Sequence, residues 1–253
     1  MKKLLLITSV LLISLCSNAQ TVIDWEEFNE GDFDVDLYSD DDFDIHWAGF
    51  EIGMNNFLNQ SNNLNLPGEY SYLELHTGKS WNVNLNLIEF DFNLIGENFG
   101  LGTGLGLEFN DYRFENKLPV KKGDNQLIVD SSYAGSAMDI SKAKLTMTHL
   151  TIPLLFEFQI PGGDDDGFFI TVGIIGGLRL GAHTKVVLIE DDGDKDKQKN
   201  RDDFYLSSFR YGYTARIGYE AVKLFVNYYE TPLFKKDKGP QVHPFTLGFM
   251  LSF

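Results

Sequence analysis

The closing stretch, Val242 to Phe253, constrains the fold more than any other part of the chain. From Phe245 onward the alternation is strict. Phe245, Leu247, Phe249, Leu251 and Phe253 fall on one face, and Thr246, Gly248, Met250 and Ser252 on the other. A period of two is the mark of a β-strand, whose successive side chains point to opposite faces. A soluble fold seldom leaves so apolar a strand as a bare terminal edge, which would template aggregation. Closing the sheet into a transmembrane barrel removes that edge and turns the apolar face to lipid.

The body of the chain repeats the pattern. Alternation predicts strands over His46–Phe57, Ser80–Leu94, Phe99–Phe114, Lys142–Ile160, Phe168–Val186, Phe204–Tyr219, Val222–Phe234 and the closing stretch. In the second strand the phase slips, and the adjacent pair Leu87-Ile88 marks a β-bulge there. Pro153 predicts a bulge or gap in the fourth. The third strand carries Gly100, Gly102, Gly104 and Gly106 at period two. This is not the nucleotide-binding spacing G-x-G-x-x-G and lacks its strand–turn–helix setting, so it reads as room for neighbouring side chains in a narrow interior. The connections alternate long and short, as in outer-membrane barrels with long external loops and short periplasmic turns. No segment after the N-terminus has the run of roughly 18 apolar residues that a membrane helix needs. The fold class is therefore all-β: an eight-stranded antiparallel up-and-down transmembrane barrel over residues 46–253, with both ends periplasmic.

Two segments precede it. Residues 1–19 read as a secretory signal, with Lys2-Lys3, an apolar core Leu4–Leu15 and small residues Ser17-Asn18-Ala19 before Gln20. Cys16 is the chain's one cysteine and follows Leu15, not the small residue that a lipoprotein signal needs; it falls within the cleaved peptide. Residues 20–45 form an acidic arm with aromatic interruptions, predicted to be a solvated, disordered tail in the periplasm. A cation-binding strip and a docking segment anchored by its aromatics are the sharper readings. The formal net charge of −16 argues against a nucleic-acid partner.

A soluble lipocalin-like barrel would show the same alternation with its apolar face inward. Two features oppose it. The polar face places Glu89, Asp91, Glu108, Glu157, Arg179, Arg210 and Arg216 in mid-strand, where they are expected to neutralise one another in a filled core. Trp47, Trp81, Phe168, Tyr211, Tyr219, Tyr228 and Phe253 stand towards strand ends on the apolar face, as interfacial girdles do.

His46-Trp47-Ala48-Gly49-Phe50-Glu51-Ile52-Gly53 resembles the first-strand signature of PorT-like outer-membrane β-barrel proteins of the Bacteroidota. So do the Gly-x-Gly strand leading to Glu108-Phe109-Asn110, the Ile152-Pro153-Leu154 segment followed by Glu157, and the Gly-rich fifth strand. The resemblance spans about residues 44–253, describes barrel packing and defines no active site. It implies an accessory part in a surface or secretion assembly, type IX secretion for the family's namesake. A terminal Phe after alternating apolar residues also looks like the closing strand of bacterial outer-membrane barrels.

No catalytic, cofactor or metal site is expected. The five histidines show no paired metal spacing, and neither a nucleophile elbow nor a P-loop occurs. One constellation is conceivable at the top of the fifth and sixth strands, as in a lipid A-modifying barrel enzyme: His183 pointing inward near Ser207, Ser208, Asp202 and Asp203. Asp192-Gly193-Asp194-Lys195-Asp196 has alternating carboxylates, but Lys197 stands where an EF-hand requires Gly. The expected partners are outer-membrane lipid and lipopolysaccharide, with a periplasmic or secretion-machinery partner for the acidic arm. The alternative function is a surface adhesin or ligand-binding protein acting through its loops.

Overall fold

The computed structural model describes residues 43–133, 139–160, 167–189, 193–219 and 222–252. The signal, Cys16, the arm up to Asp42, Asp192 and Phe253 lie outside the described residues. Eleven strands are present among the described residues: β1 Gly49–Asn59, β2 Trp81–Ile95, β3 Phe99–Arg113, β4 Val120–Lys122, β5 Leu127–Val129, β6 Asp139–Ile160, β7 Phe168–Ile189, β8 Lys195–Arg201, β9 Phe209–Tyr219, β10 Val222–Tyr229 and β11 Val242–Ser252. Eight of them close a ring in the order β1-β2-β3-β6-β7-β9-β10-β11, and β11 returns to β1 over the whole of both strands. All pairings are antiparallel. The remaining strands lie in the long connections. β4 and β5 form a small hairpin, and β8 pairs with the upper end of β7, so part of the long connection from β7 to β9 is sheet.

The register of β2 on β3 shifts between Asn86 and Ile88, at the expected bulge. Leu87 and Ile88 both end on the outer surface, and the outward stripe moves from Trp81, Val83 and Leu85 to Phe90, Phe92 and Leu94. At Pro153, which has no N–H to donate, the β3–β6 ladder skips from Thr103↔Leu154 to Gly106↔Thr151, and the Thr103 hydroxyl donates to the Pro153 carbonyl instead (2.7 Å).

The outer surface of the ring is an apolar belt that includes Ile152, Leu154, Phe156, Val172, Ile174, Tyr213, Leu247 and Phe249, all exposed. Among the described residues no helix is long and apolar enough to cross a membrane. The crossing is made by strands, whose closed ladder gives the backbone its hydrogen-bond partners.

β3 and β6 show where the bilayer ends. On β6 the inward residues His149, Thr151 and Glu157 are polar opposite an apolar outer face. One turn of the pleat higher, the inward residues Ala143, Leu145 and Met147 are apolar opposite Lys144, Thr146 and Thr148. β3 inverts at the same height: Glu108 and Asn110 face in below, Tyr112 and Phe114 above, while outside Phe109 gives way to Asp111 and Arg113. A single strand is thus membrane protein below and soluble protein above.

Candidate functional site

The lumen is occupied by the chain's own N-terminal residues. Phe43, Ile45 and Trp47 are buried, and their side chains stack in order over Gly100, Gly102 and Gly104; a Cβ at each glycine would collide with Phe43, Ile45 and Trp47 respectively. The glycine stripe therefore makes room for the base of the arm. Phe43 and Ile45, read from sequence with the solvated arm, are buried inside the barrel, with Asp44 between them exposed. Trp47 is no girdle residue either, because the chain enters the wall only at Gly49, whose φ of 146° suits glycine.

A segment threaded through a lumen has backbone groups that no ladder satisfies. Carboxylates do this work here. Glu89 accepts the N–H groups of Trp47 (3.3 Å) and Ala48 (2.7 Å), and Glu157 accepts the N–H of His46 (3.1 Å). Glu157 also binds the His46 ring (2.6 Å) and the Thr171 hydroxyl (2.5 Å), while Gln159 donates to the Asp44 carbonyl (2.5 Å). The His46 ring lies flat on Phe169, 3.9 Å between centroids.

Above this plug sits a polar layer. Arg216 pairs with Glu51 (2.9 Å), both fully buried, and its guanidinium lies over the Trp47 ring at 4.7 Å. Arg210 pairs with Glu108 (2.6 Å) and stacks 3.7 Å from the Tyr229 ring centroid; the Tyr229 hydroxyl donates to the same carboxylate. Asn84 donates to Glu51, and Asn82 and Asn110 donate to Glu108.

The expected charge cluster is thus only partly assembled. Arg210–Glu108 is one of its pairs. Arg216 takes Glu51, which is not among the carboxylates expected in that cluster and shares an inward stripe with Gly53 and Asn55. Arg179 binds the carbonyls of Ser207 (3.3 Å) and Leu206 (3.4 Å), and Glu89 and Glu157 hold the threaded segment.

The long connections fold into a cap with a core of its own. Phe57, Leu66, Leu73, Tyr112, Phe114, Val120, Leu127, Leu145, Phe204, Leu206, Leu233 and Phe234 are buried together. Ion pairs tie its rim: Lys121–Asp130 and Lys122–Asp203, each at 2.7 Å. The bond from Lys122 holds the Asp203 carboxyl well below its usual range, at about 2. A cleft of about 800 Å³ opens between the first loop, the β4–β5 hairpin and the last loop, and Asn59, Glu69, Tyr70, Tyr72, Gln126 and Asp237 line it.

The hydrolase-like constellation does not assemble. The register of β7 on β6 slips by one residue at Leu180, between Gly181 and Arg179, so that Ala182, Thr184 and Val186 face in and His183 faces out. His183 then lies opposite Thr146 on β6 and Arg201 on β8, while Ser207 donates to the Pro232 carbonyl and Asp203 belongs to Lys122. Of the alternating carboxylates, Asp194 directly precedes β8 and Asp196 lies on it, accepting from Gln198.

A closed antiparallel ring with a lipid-facing belt and a polar, filled interior defines an outer-membrane barrel. The chain belongs to the family described as outer membrane protein beta-barrel domain, which matches residues 39–234, and it is located in the outer membrane. No curated protein matches it. Among solved structures it is similar to Ail, the attachment invasion locus protein of Yersinia pestis, at 12% identity and a TM-score of 0.32, over 80% of this chain and 97% of that one. The structure of Ail with the heparin analogue sucrose octasulfate gives 11% identity and a TM-score of 0.31, over 80% and 97%.

Proposed function

We propose that this protein is a non-enzymatic scaffold of the cell envelope, an accessory part of a surface or secretion assembly in the manner of the PorT-like proteins it resembles. In this reading the long-loop cap lies outside the cell. The two chain ends lie in the periplasm, where residues before Phe43 dock a partner by their carboxylates and aromatics. The carrying observation is the threaded segment. Phe43 lies over Gly100, next to the short turn at Gly96–Asn98, so the arm is anchored at that rim and the lumen is blocked to passage. A filled barrel of this kind holds two surfaces in fixed relation across a membrane.

The test is a pull-down from detergent-solubilised envelope, comparing the full chain with a deletion of residues 21–42. The full chain is expected to retain a periplasmic protein that the deletion loses, while both show the heat-dependent gel shift of a folded barrel. Equal recovery of partners would refute the docking arm. The cleft of about 800 Å³ favours a second reading, ligand binding by the cap, for which that deletion should be silent.

A further inference from the structure

Above the lipid belt, the outward face of β3-β6-β7-β8 carries a row of cations that the ladder sets directly opposite one another: Arg113, Lys144, Lys185 and Lys199, one from each of four neighbouring strands. The flanking rows add Arg201 beside His183 below, and Lys142 and Lys197 on either side of Val187 above. Lys142 lies within electrostatic reach of Lys144, Arg113 and Lys185, and His183 of Lys199, Lys144 and Arg201, so the rows form one patch. Its described carboxylates are Asp111, which binds Lys144, and Asp139 at the far edge opposite Ile189. Among the described residues Lys142, Lys185, Lys197, Lys199 and Arg201 have no ion-pair partner, whereas cap lysines such as Lys121, Lys122 and Lys235 are paired.

Like charges directly opposite on neighbouring strands are destabilising. Lysines on β8 alone would be explained as protection of an edge strand. That explanation fails for Lys144 and Lys185, which sit on strands paired on both sides. In a chain of net charge −16 the concentration is not compositional. Its height is informative too. Leu180, the last lipid-facing residue of β7, is exposed, and His183 follows three residues later, about 10 Å along a strand. That is where hydrocarbon gives way to headgroups.

We infer that this face is a docking surface for phosphorylated lipid headgroups of the leaflet that the long loops meet. The outer orientation proposed above makes that lipid lipopolysaccharide, whose phosphates would lie against the Arg113–Lys199 row. The cations then screen one another's repulsion through shared phosphates and orient the barrel in the leaflet.

The experiment uses the purified full chain in non-ionic detergent micelles doped with bisphosphorylated lipid A or with the same lipid dephosphorylated, and retained lipid is read by native mass spectrometry. Each cation near an anionic surface is worth about fivefold, so K185Q/K199Q/R201Q should weaken retention about a hundredfold. The control K235Q/K236Q/K238Q, which removes as many charges from the last loop, should change it little. Raising NaCl from about 0.1 M to about 0.5 M should weaken the wild-type complex.

Equal retention by the folded triple variant, or equal retention of the dephosphorylated lipid, would overturn the proposal. So would displacement by inorganic phosphate at about 10 mM, which would indicate a small-anion site. Should the triple variant lose its heat-dependent gel shift, the exposed single changes Lys199→Gln and Arg201→Gln must each show a partial loss. Micelle binding does not depend on which way the barrel faces. Failure of the orientation itself would appear separately, as loss of labelling of Lys236 on intact cells.

Discussion

The lumen and the cap are built from the same strands on opposite principles. In the lumen, around the plug of Phe43, Ile45 and Trp47, the wall buries polar and charged groups, and its ions are paired, as Arg216 is to Glu51 and Glu157 to His46. In the cap the buried groups are apolar and charges stay at the rim. The difference follows from what lies outside each. Lipid takes the apolar side chains of the lower strands and leaves the polar ones to the interior. Water reverses the choice on the upper strands. The two regions should consequently fail differently. Losing one partner of a buried ion pair strands a charge that the ring cannot expel, whereas losing an apolar contact in the cap leaves a cavity that the loops can partly relax around.

Arg216→Met is the strongest way to break the lumen side of this contrast. It leaves Glu51 buried with Asn84 as its remaining partner and removes the cation over Trp47. Breaking a buried pair costs about 3–5 kcal/mol, so the temperature at which the heat-dependent gel shift is lost should fall markedly. An unchanged transition would show that water reaches Glu51 and that the lumen is open.

Leu73→Ala tests the cap. Leu73 is fully buried in the loop core, and such truncations cost about 2–5 kcal/mol. Here the loss should be local. Hydrogen exchange should rise around residues 66–75 and 204–206 while the gel-shift temperature stays near that of wild type. If the gel-shift temperature fell as far as for Arg216→Met, barrel and cap would be one cooperative unit and the contrast would be wrong.

Gly102→Leu separates the threaded segment from the wall that holds it. The new side chain would take the space of Ile45, a flexible neighbour, without touching the ladder hydrogen bonds. The barrel is expected to persist and the arm to become cleavable by protease near residues 43–48. Continued protection would mean that Glu89, Glu157 and Gln159 hold the segment without the glycine groove.

Much of the wall was legible because one face of every membrane strand is dictated by lipid, and a two-residue period with a lipid-facing stripe leaves little freedom. The Leu87-Ile88 bulge could be read because both residues are apolar and the phase visibly breaks across them. The Leu180 bulge could not: Leu178 and Leu180 keep the outward phase, and the flip shows only in the buried run Val186-Val187-Leu188 above it. That single residue moved His183 from the lumen to the surface. Phe43, Ile45 and Trp47 alternate as a strand would, so nothing local distinguishes a plug from a wall; the glycines that receive them lie more than fifty residues away in sequence. The cap was missed because its apolar residues are scattered without period through polar loops, and only tertiary contact gathers them.

The mildest prediction concerns the charge at the cap's rim. Asp203 is lowered to about 2 by the bond from Lys122, by the Tyr205 N–H and by the nearby Lys235. A carboxyl depressed in the folded state adds stability that is fully present above its ordinary pKa of about 4 and is lost as pH falls through the folded value. Both partners are about a third exposed, so the contribution should be under ~1 kcal/mol. The difference in cap melting between wild type and Lys122→Met, followed by near-ultraviolet circular dichroism, should be constant from about pH 7 to 5, shrink between about pH 4 and 2, and then vanish. A difference that survived at the acid end would have another source. Lys122 also lies over the Tyr205 ring at 4.8 Å, and that contact does not titrate with Asp203. Persistence would therefore assign the rim's stability to the stacked cation, and its loss would assign it to the ion pair.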